Sequence, residues 1–282
     1  MSNLGLTAGS QRAAGGRFSS ALWKFRARAA LVWLGLLIGI TALLLQSGLD
    51  FPLIRAKLPY LLGFHLTPGG FLQGAALTLF ITACSMIFSV VIGILTALGR
   101  TSSNAFLFGL ATFYASLFRG TPLLVQVLMI YLALPQVGIV LSGLSSGIIA
   151  LSLNYGAYLA ETIRSGIISV PWGQREAAMA LGLSRLRIAA RIVAPQALRV
   201  IIPPAGAQFI SMLKDSSLVS LMGLWEINFL AQSYGRATYR YMEMLISAAA
   251  IYWVMSVILE LLQARLERRY GRGYSRQTSG GA

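Results

Sequence analysis

The sequence predicts an all-α integral membrane protein of six transmembrane helices, a five-helix core preceded by one extra N-terminal helix, with both termini inside. Three observations point there. Apolar residues make up 56% of the chain and charged residues 11%, against roughly a quarter charged in soluble domains. The apolar residues fall into long runs of the kind a bilayer span needs. The net charge of +15 is carried by arginines gathered in short segments between those runs, as the positive-inside rule requires. A nucleic-acid binder would place such charge on one solvated patch, so nucleic acid is not expected as a partner. Cys84 is the only cysteine and His65 the only histidine. No intrachain disulfide can form, and no protein-held metal or haem is expected.

Residues 1–28 are polar, Gly/Ser-rich and basic, with Arg12, Arg17, Lys24, Arg26 and Arg28, and read as a flexible cytoplasmic tail. The apolar run 29–45 is long for a signal-peptide core, and no A-x-A cleavage site follows before Leu49. It reads as a retained span, so that 29–69 holds the extra helix and an external loop. Residues 46–68 carry Asp50, Pro52, Arg55, Lys57, Pro59 and Pro68 and suggest a loop, with an interfacial turn at 58–66. The second span, 71–98, ends at Gly99-Arg100. Within it Ser85, Ser89, Gly93 and Ala97 form a stripe of small residues that lets helix backbones approach closely, a packing feature rather than a transport one.

The third apolar stretch, 105–134, is interrupted by Phe118-Arg119-Gly120-Thr121-Pro122. Proline and glycine there break the helix or mark its inner end. An arginine at mid-bilayer costs on the order of 3 kcal/mol, so Arg119 lies near the interface or faces a protein-lined cavity. A fourth span follows at 144–163. The most charged interior region, 164–199, holds Arg164, Arg175, Arg185, Arg187, Arg191, Arg199 and Glu176. A fifth span is expected at 200–213, then Lys214-Asp215-Ser216-Ser217 and a mixed segment to Arg240. The sixth span is 244–262, and 270–282 is a basic C-terminal tail. The N-terminal tail, Arg100, the 164–199 region and the C-terminal tail fall on one side and hold most of the cations, which sets the orientation N-in, C-in.

The cytoplasmic loop 171–195 reads as a folded element. Pro171 suits a first helical turn, the residues 177–181 are strong helix formers, and Gly182 fits a C-terminal stop. Ser184 is placed to cap a second helix over 185–194, ended by Pro195. The result is a helix–turn–helix with a small, alanine-rich face, able to seat in a cleft of another protein.

The spacing of Glu176-Ala177-Ala178, Gly182, Ile192 and Pro195 resembles the EAA loop of ABC importer permeases. Ala194 stands where that pattern has leucine. The segments RGTPLLVQ (119–126), LNYGAYLAETIRSGI (153–167), GQREAA (173–178), PQALR (195–199) and KDSSLVS (214–220) are similar to the polar amino-acid branch, the histidine/glutamine-type permeases. Ser216 replaces that branch's usual threonine. The resemblance covers about 70–269 and leaves the first span outside. It implies a permease domain in the bacterial inner membrane, paired with a second permease subunit, with ABC ATPase subunits and with an extracytoplasmic solute-binding protein. Glu176, Ala177, Ala178 and Gly182 would dock the ATPase and couple its closure to alternating access. ATP and magnesium would sit on the ATPase, because Lys24, Lys57 and Lys214 follow Trp, Ala and Leu and no Walker A loop exists here.

Glu161 is the most informative intramembrane acid. It could bind the amino group or cationic side chain of a substrate, or pair with Arg164. Asn154 and Tyr158 share its helical face and are candidate pathway residues with Arg119, Thr121, Lys214 and Asp215; Lys214 and Asp215 also suit a structural ion pair. Two rival readings are a self-sufficient secondary transporter or channel, for which paired broken helices would be expected, and an intramembrane hydrolase. The latter rests on Gly143-x-Ser145-x-Gly147, with His65 as the sole candidate base.

Overall fold

A computed structural model describes the backbone of residues 7–270 and the side chains of Trp23, Phe25 and 27–269. The chain divides into two units, Met1–Phe51 and Pro52–Ala282. In the first, α1 (Thr7–Gln46) is a single helix whose part Ala27–Gln46 is long and apolar enough to cross a membrane. The expected tail at 1–28 differs in this respect: from Thr7 onward its backbone is helical. The segment contains no proline, and its alanines and arginines favour a helix. Residues 1–6, and the expected tail from 271 onward, lie outside the described residues.

The second unit begins with α2 (Phe51–Leu62), where the sequence suggested a loop. Pro52 is tolerated because the first turn has no amide bond to lose. Leu53, Ile54, Leu58 and Leu61 then give one apolar face, which packs on Ile227, Leu230, Met244 and Ile251. Gly74 starts α3 (Gly74–Arg100) at φ +57°, and a Cβ there would collide with the carbonyl oxygens of Leu61 and Tyr60. Only glycine fits that approach.

The centre of the unit is α3 laid against α6 (Gly143–Ile168). The small-residue stripe makes this contact. Ser89 Oγ donates to Ser152 O at 3.2 Å and Ser152 Oγ to Ser85 O at 3.3 Å, while Gly93 abuts Leu159 and Ala160. Close approach of backbones and interhelical hydroxyl bonds are the forces available between helices in lipid. The core beside it gathers Leu77, Ile81, Val127, Leu151, Tyr155, Met212 and Val219. Between these helices run α4 (Ala105–Gly120) and α5 (Leu123–Leu128), which with the turns to Val137 form a pair bent by 104°.

After α6 come α7 (Trp172–Ala180), α8 (Arg185–Ile188) and α9 (Ala194–Asp215). Pro195 does not end a helix, as the sequence suggested. A π-turn at Ala189–Val193 joins α8 to α9, and its wider winding accommodates a residue that cannot donate. Ser184 occupies the N-cap position, but its side chain makes no capping bond. The mixed segment before Arg240 forms α10 (Ile227–Thr238), and α11 (Tyr241–Tyr270) completes the fold. Glu226 caps α10: its fully buried carboxylate accepts from the amides of Asn228 and Phe229 at 2.9 and 2.6 Å and from Tyr252 Oη at 2.6 Å. Burial pushes its carboxyl up to about 7.

Among the described residues there is no β-strand. Four helical segments are long and apolar enough to cross a membrane, or five when the bent pair counts as one span. Six were expected. The remaining expected span, the fourth, is α6, which has the length at 26 residues, but Ser, Asn154, Glu161 and Arg164 dilute its hydropathy. It can carry them because α3, α4 and α9 cover it.

Candidate functional site

The break between α4 and α5 creates the site. A helix end leaves carbonyls without partners, and here two buried amides supply them. Gln126 Nε2 donates to Phe118 O at 2.9 Å, Thr121 O at 3.1 Å and Thr121 Oγ1 at 2.8 Å. Asn154 Nδ2, from α6, donates to Phe118 O and to Gln126 Oε1, both at 3.1 Å. Gln126 and Asn154 are each 6% exposed. The clamp they form holds Gly120–Pro122 open as an irregular backbone, which is tolerated at membrane depth where it lines a cavity.

That cavity is about 510 Å3 and lies between the break, α6 and α9, within the size range of small-molecule sites. Arg119, Thr121, Asn154, Tyr158 and Asp215 line it, so five of the seven pathway candidates converge there. Tyr155, Gln208 and Ser211 join them. These three were missed because nothing local marks them as different from packing residues. The Arg119 guanidinium lies 5.4 Å from the centre of the Tyr158 ring, a cation–π arrangement. Tyr155 Oη donates to Asp215 Oδ2 at 2.6 Å. Gln208 Nε2 donates to Thr162 Oγ1 at 2.9 Å, while its buried Oε1 has no hydrogen-bond partner. The cavity therefore offers a cation and a carboxylate together.

Two candidates fall outside the lining. Lys214 is exposed and forms no ion pair with Asp215, whose partner is Tyr155 instead. Glu161 is an ion-pair hub: Arg100 and Arg164 both donate to it, and Arg119 Nη1 stands 3.7 Å from Oε2. Of the two roles the sequence left open, the pairing with Arg164 is present, and Arg100 from the end of α3 joins it. Arg119 touches both this hub and the cavity.

The 171–195 loop folds as a helical hairpin. Gly182 has φ +74° with open space around it, and Gly182 N and Leu183 N bond back to Met179 O and Ala178 O at 2.9 and 3.1 Å, a glycine stop. Glu176 and Ala177 are exposed. Ala178 is not: it is 2% exposed and packs with Val170, Ile188, Val193 and Ala197. It holds the hairpin together and offers no surface for docking. Leu181 and Leu186 are instead 81% and 80% exposed, apolar side chains of the kind that mark interaction sites.

The two residues of the hydrolase alternative are each engaged elsewhere. Ser145 lies in the first turn of α6, bonded to the N-cap Ser142, and His65 stacks on Tyr60 at 4.3 Å. Among the described residues no group of His, Cys, Asp and Glu could hold a metal ion.

Comparison with known proteins bears on the same segments. Residues 89–272 match the family described as the binding-protein-dependent transport system inner membrane component. The chain is 36% identical over 222 residues to the arginine transport system permease protein ArtQ of Bacillus subtilis (strain 168), covering 78% of this chain and 97% of that one. It is 40% identical over 200 residues to the L-cystine transport system permease protein TcyB of the same organism, covering 71% and 86%. Its fold is similar to a crystal structure of an amino acid ABC transporter with histidines, with a TM-score of 0.71 at 36% identity, over 79% of this chain and 100% of that chain. The MetNI methionine ABC transporter, inward facing, shares the fold at 22% identity and a TM-score of 0.60, over 70% and 94%. Match length and identity agree, and the chain belongs to the binding-protein-dependent transport system inner membrane component family, the multi-pass permeases of ABC transporters.

Proposed function

We propose that this chain is the translocating subunit of an ATP-driven importer for polar amino acids in a bacterial inner membrane. The observation that carries the reading is the cavity of about 510 Å3 at the helix break, where Arg119 and Asp215 both contribute to the lining. An amino acid carries a carboxylate and an ammonium group, and a site offering one partner for each recognises that pair of charges. Relatives named for arginine, cystine and glutamine support the amino-acid class.

The hairpin 171–195 is the coupling element of this proposal. Glu176, Ala177 and Gly182, with Leu181 and Leu186 beside them, form its docking face for a separate ATPase that holds ATP and magnesium. A second permease subunit and an extracytoplasmic binding protein complete the assembly. ATP-driven closure of the ATPases shifts the inward–outward equilibrium only through differential binding to the two states, and a rigid hairpin transmits that difference. The transmembrane arrangement proposed is six spans with both termini inside, α6 being the fourth in chain order.

The test is uptake of labelled amino acids by proteoliposomes holding the permease, its ATPase and its binding protein. Arg119→Gln and Asp215→Asn are expected to lower uptake by roughly tenfold or more, the scale of a lost hydrogen bond to a charged group. Lys214→Gln should leave it near wild type. Glu176→Lys or Gly182→Arg should abolish uptake and lose the ATPase from affinity pull-downs while the protein stays in the membrane. Full uptake by the cavity variants would overturn the substrate site. Full uptake by both loop variants would overturn the coupling role.

A further inference from the structure

A second concavity, about 700 Å3, lies between the α7–α8 hairpin, the start of α9 and the ends of α3 and α6. Its walls are mostly apolar, with Leu98, Ile167, Trp172, Ile188 and Val193 among them. Arg175 and Arg185 also line it, and no acidic side chain does. Arg175 is held in place: its Nη2 donates to Ile167 O at 2.7 Å and its guanidinium lies 5.7 Å from the Trp172 ring. Its Nε is buried and has no hydrogen-bond partner. The groove therefore presents a fixed cation beside an apolar wall.

The chemistry that satisfies all of this is an anionic head joined to an apolar chain. The groove also stands where such molecules are found. Leu98 and Thr101 mark the end of α3, a helix long and apolar enough to cross a membrane. Tryptophan and arginine together are characteristic of the boundary between hydrocarbon and water, and basic pockets between transmembrane helices bind anionic headgroups. The exposed Glu176, Leu181 and Leu186 of the proposed docking face do not line this groove, so the two surfaces are separate.

We propose that this groove is a binding site for one anionic phospholipid, with its phosphate against Arg175 and Arg185 and an acyl chain along Leu98, Ile167 and Val193. The lipid ties the hairpin to the end of α3. The inference stands on the groove alone and does not depend on which solute the permease carries.

Native mass spectrometry of the detergent-purified full chain, titrated with dioleoyl phosphatidylglycerol or dioleoyl phosphatidylcholine, tests it. Phosphatidylglycerol should be retained in preference, and the double substitution Arg175→Gln with Arg185→Gln should weaken its retention about thirtyfold. Arg187→Gln with Arg191→Gln removes the same charge outside the groove and should change retention less than about threefold. Circular dichroism checks that each variant keeps its helix content. If the groove variant does not fold, the wild type still decides the matter: phosphatidylglycerol brominated on its acyl chains should quench Trp172, read as the difference from Trp172→Phe. Equal retention of the two lipids, equal losses in the two double variants, or no quenching of Trp172 overturns the proposal. Displacement of the lipid by inorganic phosphate alone would also overturn it, by showing a soluble-anion site.

Discussion

Glu226 is buried without a cation, and its environment has a consequence for pH. Its carboxyl stays protonated in the folded chain up to about 7, whereas the unfolded chain releases that proton near the ordinary carboxylate value. Between those two values the folded state binds the extra proton, so this group's contribution is fully present at low pH and is lost as pH rises through about 7. Either protonation state accepts from the Asn228 and Phe229 amides, so the cap survives while the desolvation penalty grows. The thermal midpoint of the detergent-solubilised protein is therefore expected to fall by roughly 5 °C from pH 5 to pH 8, and Glu226→Gln should flatten the profile. A wild-type profile identical to that of the variant would remove Glu226 from the account. No residue pattern announces this group. Glutamate is not among the residues that commonly cap helices, and only packing against α11 buries it and supplies Tyr252.

At the scale of elements, the break between α4 and α5 shows how a local signal and a distant partner divide the work. Gly120 and Pro122 make the interruption visible in the sequence, because glycine and proline disfavour a continuous helix. What holds the break open is the amide pair Gln126 and Asn154, on different helices. Gln126→Leu removes every donor of that side chain and leaves the carbonyls of Phe118 and Thr121 with less than their bonds. It should destabilise the protein by about 1–3 kcal/mol and reduce proteoliposome uptake, with thermal unfolding and transport measured on the same sample. Loss of stability with unchanged uptake would separate the break from transport. The hairpin divides the same way. Gly182 as a stop and Glu176 as an exposed group follow from local rules, whereas Ala178 turned inward because Val170, Ile188 and Val193 lie behind it. Pro195 likewise read as a terminator, and the preceding π-turn made it a passenger in a continuing helix.

For the whole molecule, the arginine distribution and helix order predict both termini on the cytoplasmic side. In a Cys84→Ser background, Ser20→Cys and Ser275→Cys should react with a membrane-impermeant maleimide only after permeabilisation, and Arg236→Cys should react in intact cells. The reverse pattern would invert the proposed orientation. The membrane class, the position of the helix break and the folded basic loop follow from composition, periodicity and spacing, and the family from the resemblance of its motifs, all of them properties of the chain read in order. The tertiary structure alone decided which candidates meet. It placed Asp215 with Tyr155 rather than Lys214, drew Arg100 and Arg164 onto Glu161, and left Arg119 bordering both that hub and the cavity. The physical reason is that helical periodicity specifies a face and a span, whereas a polar group's partner is chosen by which helix packs against that face.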